Sequence, residues 1–234
     1  MEPVMGRRKL LKGSIFFLAS LATSRVALAR NSVPKAGKGE TEEVNPPEDL
    51  MREHGVLRRI LLIYRSFIGK LDDRGEIRWD GLGESAAIVR TFMEDYHEKL
   101  EERYVFPAMR KAGRLVDLVD TLLAQHQAGR RLTDMTTGIA KGQGREQADR
   151  KRLQTALGQF IRMYEPHAAR EDTILFPELH RVWRGKEFGK MGDLFEKEED
   201  RLFGEGGFEK MVGRVAAIEK DLDLYDLRQF TPGA

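Results

Sequence analysis

The sequence predicts an all-α fold, an antiparallel up-down four-helix bundle followed by a short helical extension. Three observations carry that reading. Four long stretches of the 234-residue chain repeat apolar side chains at steps of three and four, the spacing of one helical face. No stretch alternates with period two for long enough to make a strand. The connections are short and contain glycine or lie beside proline, as antiparallel neighbours require. Apolar residues at 41% supply a sizeable core, and charged residues at 33% exclude a polytopic membrane protein.

Residues 1–29 read as a targeting segment. They carry Arg7, Arg8, Lys9, Lys12 and Arg25 against one acid, Glu2. An apolar run from Ile15 to Ala22 follows, and Ala27-Leu28-Ala29 fits a small-residue cleavage site. The run Gly6-Arg7-Arg8-Lys9-Leu10-Leu11-Lys12 resembles the twin-arginine export motif, with Leu10 where Phe is common and Gly6 where Ser or Thr is common. A membrane anchor is the competing reading. A spanning helix needs about 20 mostly apolar residues, and Ser20, Thr23, Ser24 and Arg25 dilute this run. The expectation is a periplasmic or otherwise exported protein, cleaved after Ala29, with no stable membrane anchor. Cleavage leaves 35 basic against 37 acidic side chains, a balance of −2 where the whole chain has +2. Residues 30–47, with Pro34, Pro46 and Pro47, read as a flexible linker.

The bundle is expected over residues 48–183. Its first helix opens on Glu48 and Asp49, acids that suit a first turn. Leu50, His54, Leu57, Leu61, Tyr64, Ile68 and Leu71 then form one stripe, ending near Asp73. A loop with Gly75, Gly81 and Gly83 leads to the second helix, about 84–112, with Ala86, Val89, Met93, His97, Glu101, Tyr104 and Ala108 in line and Gly113 as its stop. The third, about 115–141, aligns Leu115, Leu118, Leu122, His126, Gly129 and Thr133, and Gly142-Gln143-Gly144 ends it. The fourth, about 145–183, aligns Leu153, Leu157, Phe160, Tyr164, His167, Glu171 and Ile174. Pro107, Pro166 and Pro177 should kink or end turns locally. Residues 184–234 hold two shorter amphipathic patterns, near 187–203 and 207–223, parted by Gly204-Glu205-Gly206-Gly207.

The helices form two similar pairs. His97-x3-Glu101-x4-Phe106-Pro107 matches His167-x3-Glu171-x4-Phe176-Pro177 at an offset of 70, and His54-x3-Arg58-Arg59 matches His126-x3-Arg130-Arg131 at an offset of 72. In an antiparallel bundle that duplication relates equivalent side chains by a pseudo-two-fold axis.

Four of the five histidines, one per helix, lie on the stripe that faces the core. Glu101 and Glu171 share it, one turn after a histidine, so each pair points inward together. A buried carboxylate needs a compensating charge, and no Lys or Arg shares these stripe positions. Cations would supply it. With no cysteine in the chain, there is no disulfide, thiolate zinc site or iron–sulfur cluster, and any metal sits on nitrogen and oxygen. Imidazole suits iron, zinc, copper or nickel, and carboxylates favour harder ions. Four imidazoles and two carboxylates able to bridge, His54, His97, Glu101, His126, His167 and Glu171, point to two iron ions. The duplication assigns His54 and His97 to one and His126 and His167 to the other, with the swapped assignment as the alternative.

Other groups are read as bystanders. His180 lacks a counterpart and is expected on the surface. Glu98 is expected in solvent, with an additional ligand as the alternative. The run Glu196-Lys197-Glu198-Glu199-Asp200 reads as a solvated helix face, and Tyr64, Tyr104 and Tyr164 as core packing. Basic and acidic residues interleave, so nothing calls for nucleic acid.

His54, His97-x3-Glu101, His126 and His167-x3-Glu171 resemble the pattern of hemerythrin-like, or HHE cation-binding, domains over about residues 48–183. Phe203-Gly204-Glu205-Gly206-Gly207-Phe208 also resembles a tail of many bacterial members. The resemblance implies a four-helix bundle with a non-haem di-iron centre that handles dioxygen, nitric oxide, peroxide or iron itself. Ferritin-like bundles carry Glu-x2-His instead and fit poorly. Oxygen-carrying hemerythrins use a fifth histidine on the third helix, in a His-x3-His pair. Here Arg130 stands four residues after His126 and Leu122 four before it. Glu171 replaces their His-x4-Asp. The more carboxylate-rich set weakens the case for reversible oxygen carriage and strengthens reactive or storage-like roles. A di-iron oxidase or peroxidase, and a metal-dependent sensing or interaction module with residues 185–234 as its output surface, are the alternatives.

Overall fold

The structure is a computed structural model that describes residues 45–72, 75–143 and 146–233. The expected export segment, its cleavage position and most of the expected linker lie outside the described residues. Among the described residues the regular elements are all helical. We number the long ones α1 (Pro46–Asp72), α2 (79–111), α3 (Val116–Gly142), α4 (147–182), α5 (Lys186–Phe203) and α6 (Gly207–Asp221).

Pro46 and Pro47 sit in the first turn of α1, where a backbone N–H has no partner to lose, followed by the acids Glu48 and Asp49. Helix α2 starts at Trp79, earlier than the glycines suggest, so Gly81 and Gly83 are helical. Tertiary packing overrides their low propensity. Leu82 is fully buried, and a Cβ on Gly81 would lie 3.8 Å from the Phe67 ring and 3.9 Å from Ile218. Gly113 closes α2 as expected, at φ +65°. Its N–H donates to the Arg110 carbonyl and that of Arg114 to the Met109 carbonyl, each at 3.0 Å, the paired bonds of a left-handed stop. At the end of α3 the left-handed residue is Gln143, at φ 58°, not a glycine.

Helices α2 and α4 are not α-helical throughout. Val89–His97 and Glu101–Val105 in α2, and Glu171–Leu175 in α4, are wound as π-helix. The reason is partly in the sequence. Val89, Met93, His97 and Glu101 recur at steps of four, and each such step drifts about 40° around an α-helix. Wider turns cancel the drift and keep all four on the inner face. Each short π turn runs into Phe-Pro, where the proline offers no N–H and its ring would crowd the carbonyl of residue i−4 in an α-helical turn. Around Pro166 the helix continues without a break.

Helix α1 packs against α2 and α4, and α3 packs against the same two, so the four enclose one core. Tyr64, Phe67, Phe92, Phe106, Phe160 and Phe176 are among its largest buried side chains. Each contributes roughly 2–3 kcal/mol by leaving water. Helices α5 and α6 lie across α1 and α2. Among the described residues no helix is long and apolar enough to cross a membrane.

Candidate metal centre

The structure brings all six expected residues together at mid-bundle, one histidine from each of α1 to α4. His54, His97, His126, His167, Glu101 and Glu171 are all buried, both carboxylates completely. Glu171 Oε2 lies 3.3 Å from His54 Nε2 and 3.1 Å from His167 Nε2. Glu101 Oε1 lies 3.8 Å from His97 Nε2, and its Oε2 lies 3.4 Å from His126 Nε2. Each carboxylate therefore spans one histidine of either helix pair. His54 and His97 meet at 3.1 Å between Nε2 atoms, and the rings of His126 and His167 at 5.1 Å between centroids. Two groups, His54, His97 and Glu171, and His126, His167 and Glu171, offer ligand atoms within 4.8 Å of one another.

Every one of these imidazoles has its outer nitrogen committed. His54 Nδ1 lies 2.7 Å from Asp172 Oδ1 and His97 Nδ1 lies 2.8 Å from Glu53 Oε2. His126 Nδ1 lies 3.2 Å from Glu102 Oε1 and His167 Nδ1 lies 2.9 Å from Gln125 Oε1. All four partners are acceptors, so each Nδ1 carries a proton and each Nε2 turns inward, where a metal would take its lone pair. Such outer partners fix a metal-binding imidazole in orientation and tautomer.

The sequence reading missed these four acceptors. The signal was present, because each neighbours a ligand position and recurs in the second pair. Glu53 and Gln125 precede His54 and His126, and Glu102 and Asp172 follow Glu101 and Glu171. The duplicated arginines act on the same partners. Arg58 pairs with Asp172, and Arg130 reaches Glu102 at 2.6 Å. The duplicated phenylalanines stack on the rings, Phe176 on His54 at 5.4 Å and Phe106 on His126 at 5.4 Å.

The donor set fits a cation. Four inward Nε2 atoms surround two carboxylates whose four oxygens accept no hydrogen bond, and the Nε2 of His126 likewise has none. Carboxylates buried without hydrogen bonds in a dry core are costly unless positive charge lies among them. The protein's own charges respond to the crowding. Burial and the neighbouring Glu171 charge push the Glu101 carboxyl far above the usual range. Burial lowers His54 but is outweighed by Asp172 and Glu171, which hold it up to about 9. Burial prevails at His126, lowered to about 4, and at His97.

Three expectations change. Glu98 is neither solvated nor on the inner ring of donors. It is buried, accepts from the Tyr164 hydroxyl at 2.7 Å and pairs with Arg130 at 2.7 Å. A cation does therefore enter the core beside the site, because Arg130, one turn from His126, bends along the bundle to Glu98 and Glu102. Glu199 leaves the solvated acid run and is only 3% exposed. His180 is exposed as expected and stacks on Phe188. Tyr64 is buried in the core and Tyr104 packs against Phe195.

The family model described as "Hemerythrin HHE cation binding domain" matches residues 45–179, and again, overlapping, residues 118–230. The two matches share residues 118–179, in α3 and α4, the second of the two similar helix pairs. "Uncharacterized protein Mb2018" of Mycobacterium bovis and "Uncharacterized protein Rv1995" of Mycobacterium tuberculosis are each 47% identical over 97% of this chain and 91% of their own length. No solved structure matches significantly. The chain belongs to the hemerythrin HHE cation-binding domain family.

Proposed function

We propose that this family member is a non-haem di-iron protein whose first four helices form an antiparallel up-down bundle around the metals. His54 and His97 would hold one ion, His126 and His167 the other, and Glu101 and Glu171 would serve both. The observation that carries the reading is the ring of four inward Nε2 atoms around two buried carboxylates without hydrogen-bond partners. Iron bound there supplies redox-active positions at which dioxygen, nitric oxide or peroxide is handled. The protein's part is to hold the imidazoles in one tautomer, balance charge with the two carboxylates and exclude bulk water with Phe106 and Phe176.

The test is metal analysis with optical spectra of the anaerobically reduced protein before and after oxygen. About two irons per chain are expected, as this donor set would hold. Stoichiometric zinc without iron in protein from its native compartment overturns the reading. A spectral change reversed by removing oxygen supports carriage. Irreversible oxidation, or steady turnover of hydrogen peroxide, favours the oxidase or peroxidase alternative, to which the carboxylate-rich set also inclines.

We further propose export by the twin-arginine route, which carries folded proteins and suits metal uptake before crossing. No nucleic-acid partner and no lasting anchor are proposed. Arg7→Lys with Arg8→Lys should retain the precursor in the cytoplasm. Its appearance outside, processed at Ala29, would show another route.

A further inference from the structure

The two halves of the centre are related by duplication, yet one has a connection that the other lacks. Tyr96 precedes His97, and its hydroxyl lies 3.0 Å from Glu53 Oε1 and 3.3 Å from Glu199 Oε2. The other oxygen of Glu53 receives the His97 Nδ1 proton. The other oxygen of Glu199 accepts the backbone N–H of Phe208, at 2.8 Å, in the first turn of α6. A buried chain of polar contacts thus runs from α6 through Glu199, Tyr96 and Glu53 to a proposed metal ligand, and it is hydrogen-bonded throughout when Glu53 and Glu199 hold one proton between them, because Tyr96 has a single proton to donate. At the equivalent place in the second half, position 166 is a proline, which has no hydroxyl to bridge with, and the acceptor on His167 is the neutral Gln125.

The Phe203–Phe208 segment is built around this contact. The Phe203 ring meets Tyr96 edge-on at 5.6 Å, and both Phe203 and Phe208 pack on Phe92. Gly204 and Gly206 take φ +69° and +74°, which lets the chain reverse tightly over Glu199. Gly207 leaves room for the carboxylate. A Cβ there would stand 2.9 Å from Glu199 Cγ and 3.0 Å from its Oε1.

We propose that the α5–α6 turn positions His97, with Glu199 fixing Tyr96 and Tyr96 fixing the Glu53 carboxylate that orients the ring, so that the C-terminal helices set how firmly the His54–His97 position holds its ion. This rests on the metal-binding reading above. Tyr96 and Glu199 are positioning residues, since neither reaches the ligand atoms. A carboxylate on Nδ1 makes an imidazole a stronger donor than an amide does, so the His54–His97 position is the tighter of the two.

The test uses the full mature protein loaded with iron, and reads the rate at which each iron is lost to a chelator under reducing conditions. Tyr96→Phe and Glu199→Gln keep the shape of the contact and remove its hydrogen bonding or charge. Each should speed the loss of the slower iron roughly 10- to 100-fold, the usual range for removing an outer partner, and leave the faster one unchanged. Gly207→Ala should act in the same direction from outside the chain of bonds. Arg59→Ala is the control. Arg59 ties α1 to α6 through Glu219 at 2.9 Å and 2.5 Å without touching the relay, so its loss should leave both rates alone. In metal-free protein, the slowly exchanging Nδ1 proton of His97 should be lost from the NMR spectrum of Glu199→Gln but kept in Arg59→Ala. Wild-type rates in Tyr96→Phe and Glu199→Gln would overturn the inference, and so would equal acceleration in Arg59→Ala, which would mean docking strength alone. A wild-type protein that binds no iron would instead overturn the metal reading beneath it.

Discussion

Glu53 on α1 accepts the Nδ1 proton of His97 on α2 at 2.8 Å, both groups being buried. The duplicated counterpart is Gln125 on α3 with His167 on α4, at 2.9 Å. One histidine therefore leans on a carboxylate and its equivalent on an amide. Glu53→Gln makes the halves alike. It should weaken metal affinity at the His54–His97 position by about 10- to 100-fold and leave the other position near its original value. Competition titration with a chelator of known affinity checks this, and unchanged affinity at both positions would show that the acceptor's charge is immaterial.

Glu101 separates ligand from scaffold. Glu101→Ala should reduce bound iron from about two atoms to less than one, because both ions lose a shared oxygen. The iron-loaded protein should lose on the order of 3 kcal/mol, the linkage expected when free metal is a hundredfold above its dissociation constant. That gap should shrink in metal-free protein, where the variant also removes a buried carboxyl that makes no hydrogen bond. His180→Ala should keep both irons and melt close to wild type, because His180 is exposed and its ring stacks on Phe188, away from the centre. Two irons and an unchanged spectrum in Glu101→Ala would place the carboxylate outside the ligand set.

Metal-free protein should show a distinct pH signature at His54. Asp172 and Glu171 hold its imidazolium up to about 9 against burial, compared with the ordinary value near 6.5. A group with a raised folded-state value stabilises fully below its unfolded value and loses that contribution as pH rises through the folded one. Asp172→Asn should thus cost about 2 kcal/mol below pH 6.5, the worth of a hydrogen bond to a charged group. The difference between wild type and variant should close towards pH 9 and above. Denaturant melts of both proteins across pH 6 to 10, with iron removed, measure it. A difference that stays constant across this range would mean that His54 is neutral throughout.

The ligand stripe was legible because its chemistry coincides with its periodicity. His97 and Glu101, and His167 and Glu171, are rare polar residues on faces otherwise apolar, and the 70-residue offset repeats them. The winding of those helices was less legible. A stripe drawn at 3.6 residues per turn places Ile174 inside, but the π turn at Glu171–Leu175 advances the register. Leu175 is fully buried and Ile174 is 42% exposed. Likewise Val105 takes the inner place that the stripe gave to Tyr104. The acceptors on Nδ1 were hidden for another reason. Glu53, Glu102, Gln125 and Asp172 flank the stripe on the helix where they lie and reach a histidine on a neighbouring helix, which a single helical wheel does not relate. Glu199 is the extreme case, since its burial depends on a turn nine residues later.

Gly129 tests the packing beside the centre. A Cβ there would fall 2.0 Å from the Tyr164 hydroxyl oxygen and 2.7 Å from its Cζ, so no side chain fits while Tyr164 reaches Glu98. The obstacle is an aromatic ring in a packed core, held on one side by Phe160 at 4.3 Å and on another by His167 at 5.3 Å. Gly129→Ala should destabilise the fold by about 1–3 kcal/mol through overpacking, despite the better helix propensity of alanine. Gly138, on the same helix, has nothing within 4 Å of an added Cβ and is exposed. Gly138→Ala should therefore stabilise by about 0.5–1 kcal/mol from backbone entropy alone. Opposite signs in the two variants, read by denaturant melts of metal-free protein, isolate the clash from the propensity they share. A stabilised Gly129→Ala would mean that Tyr164 can leave Glu98 without cost.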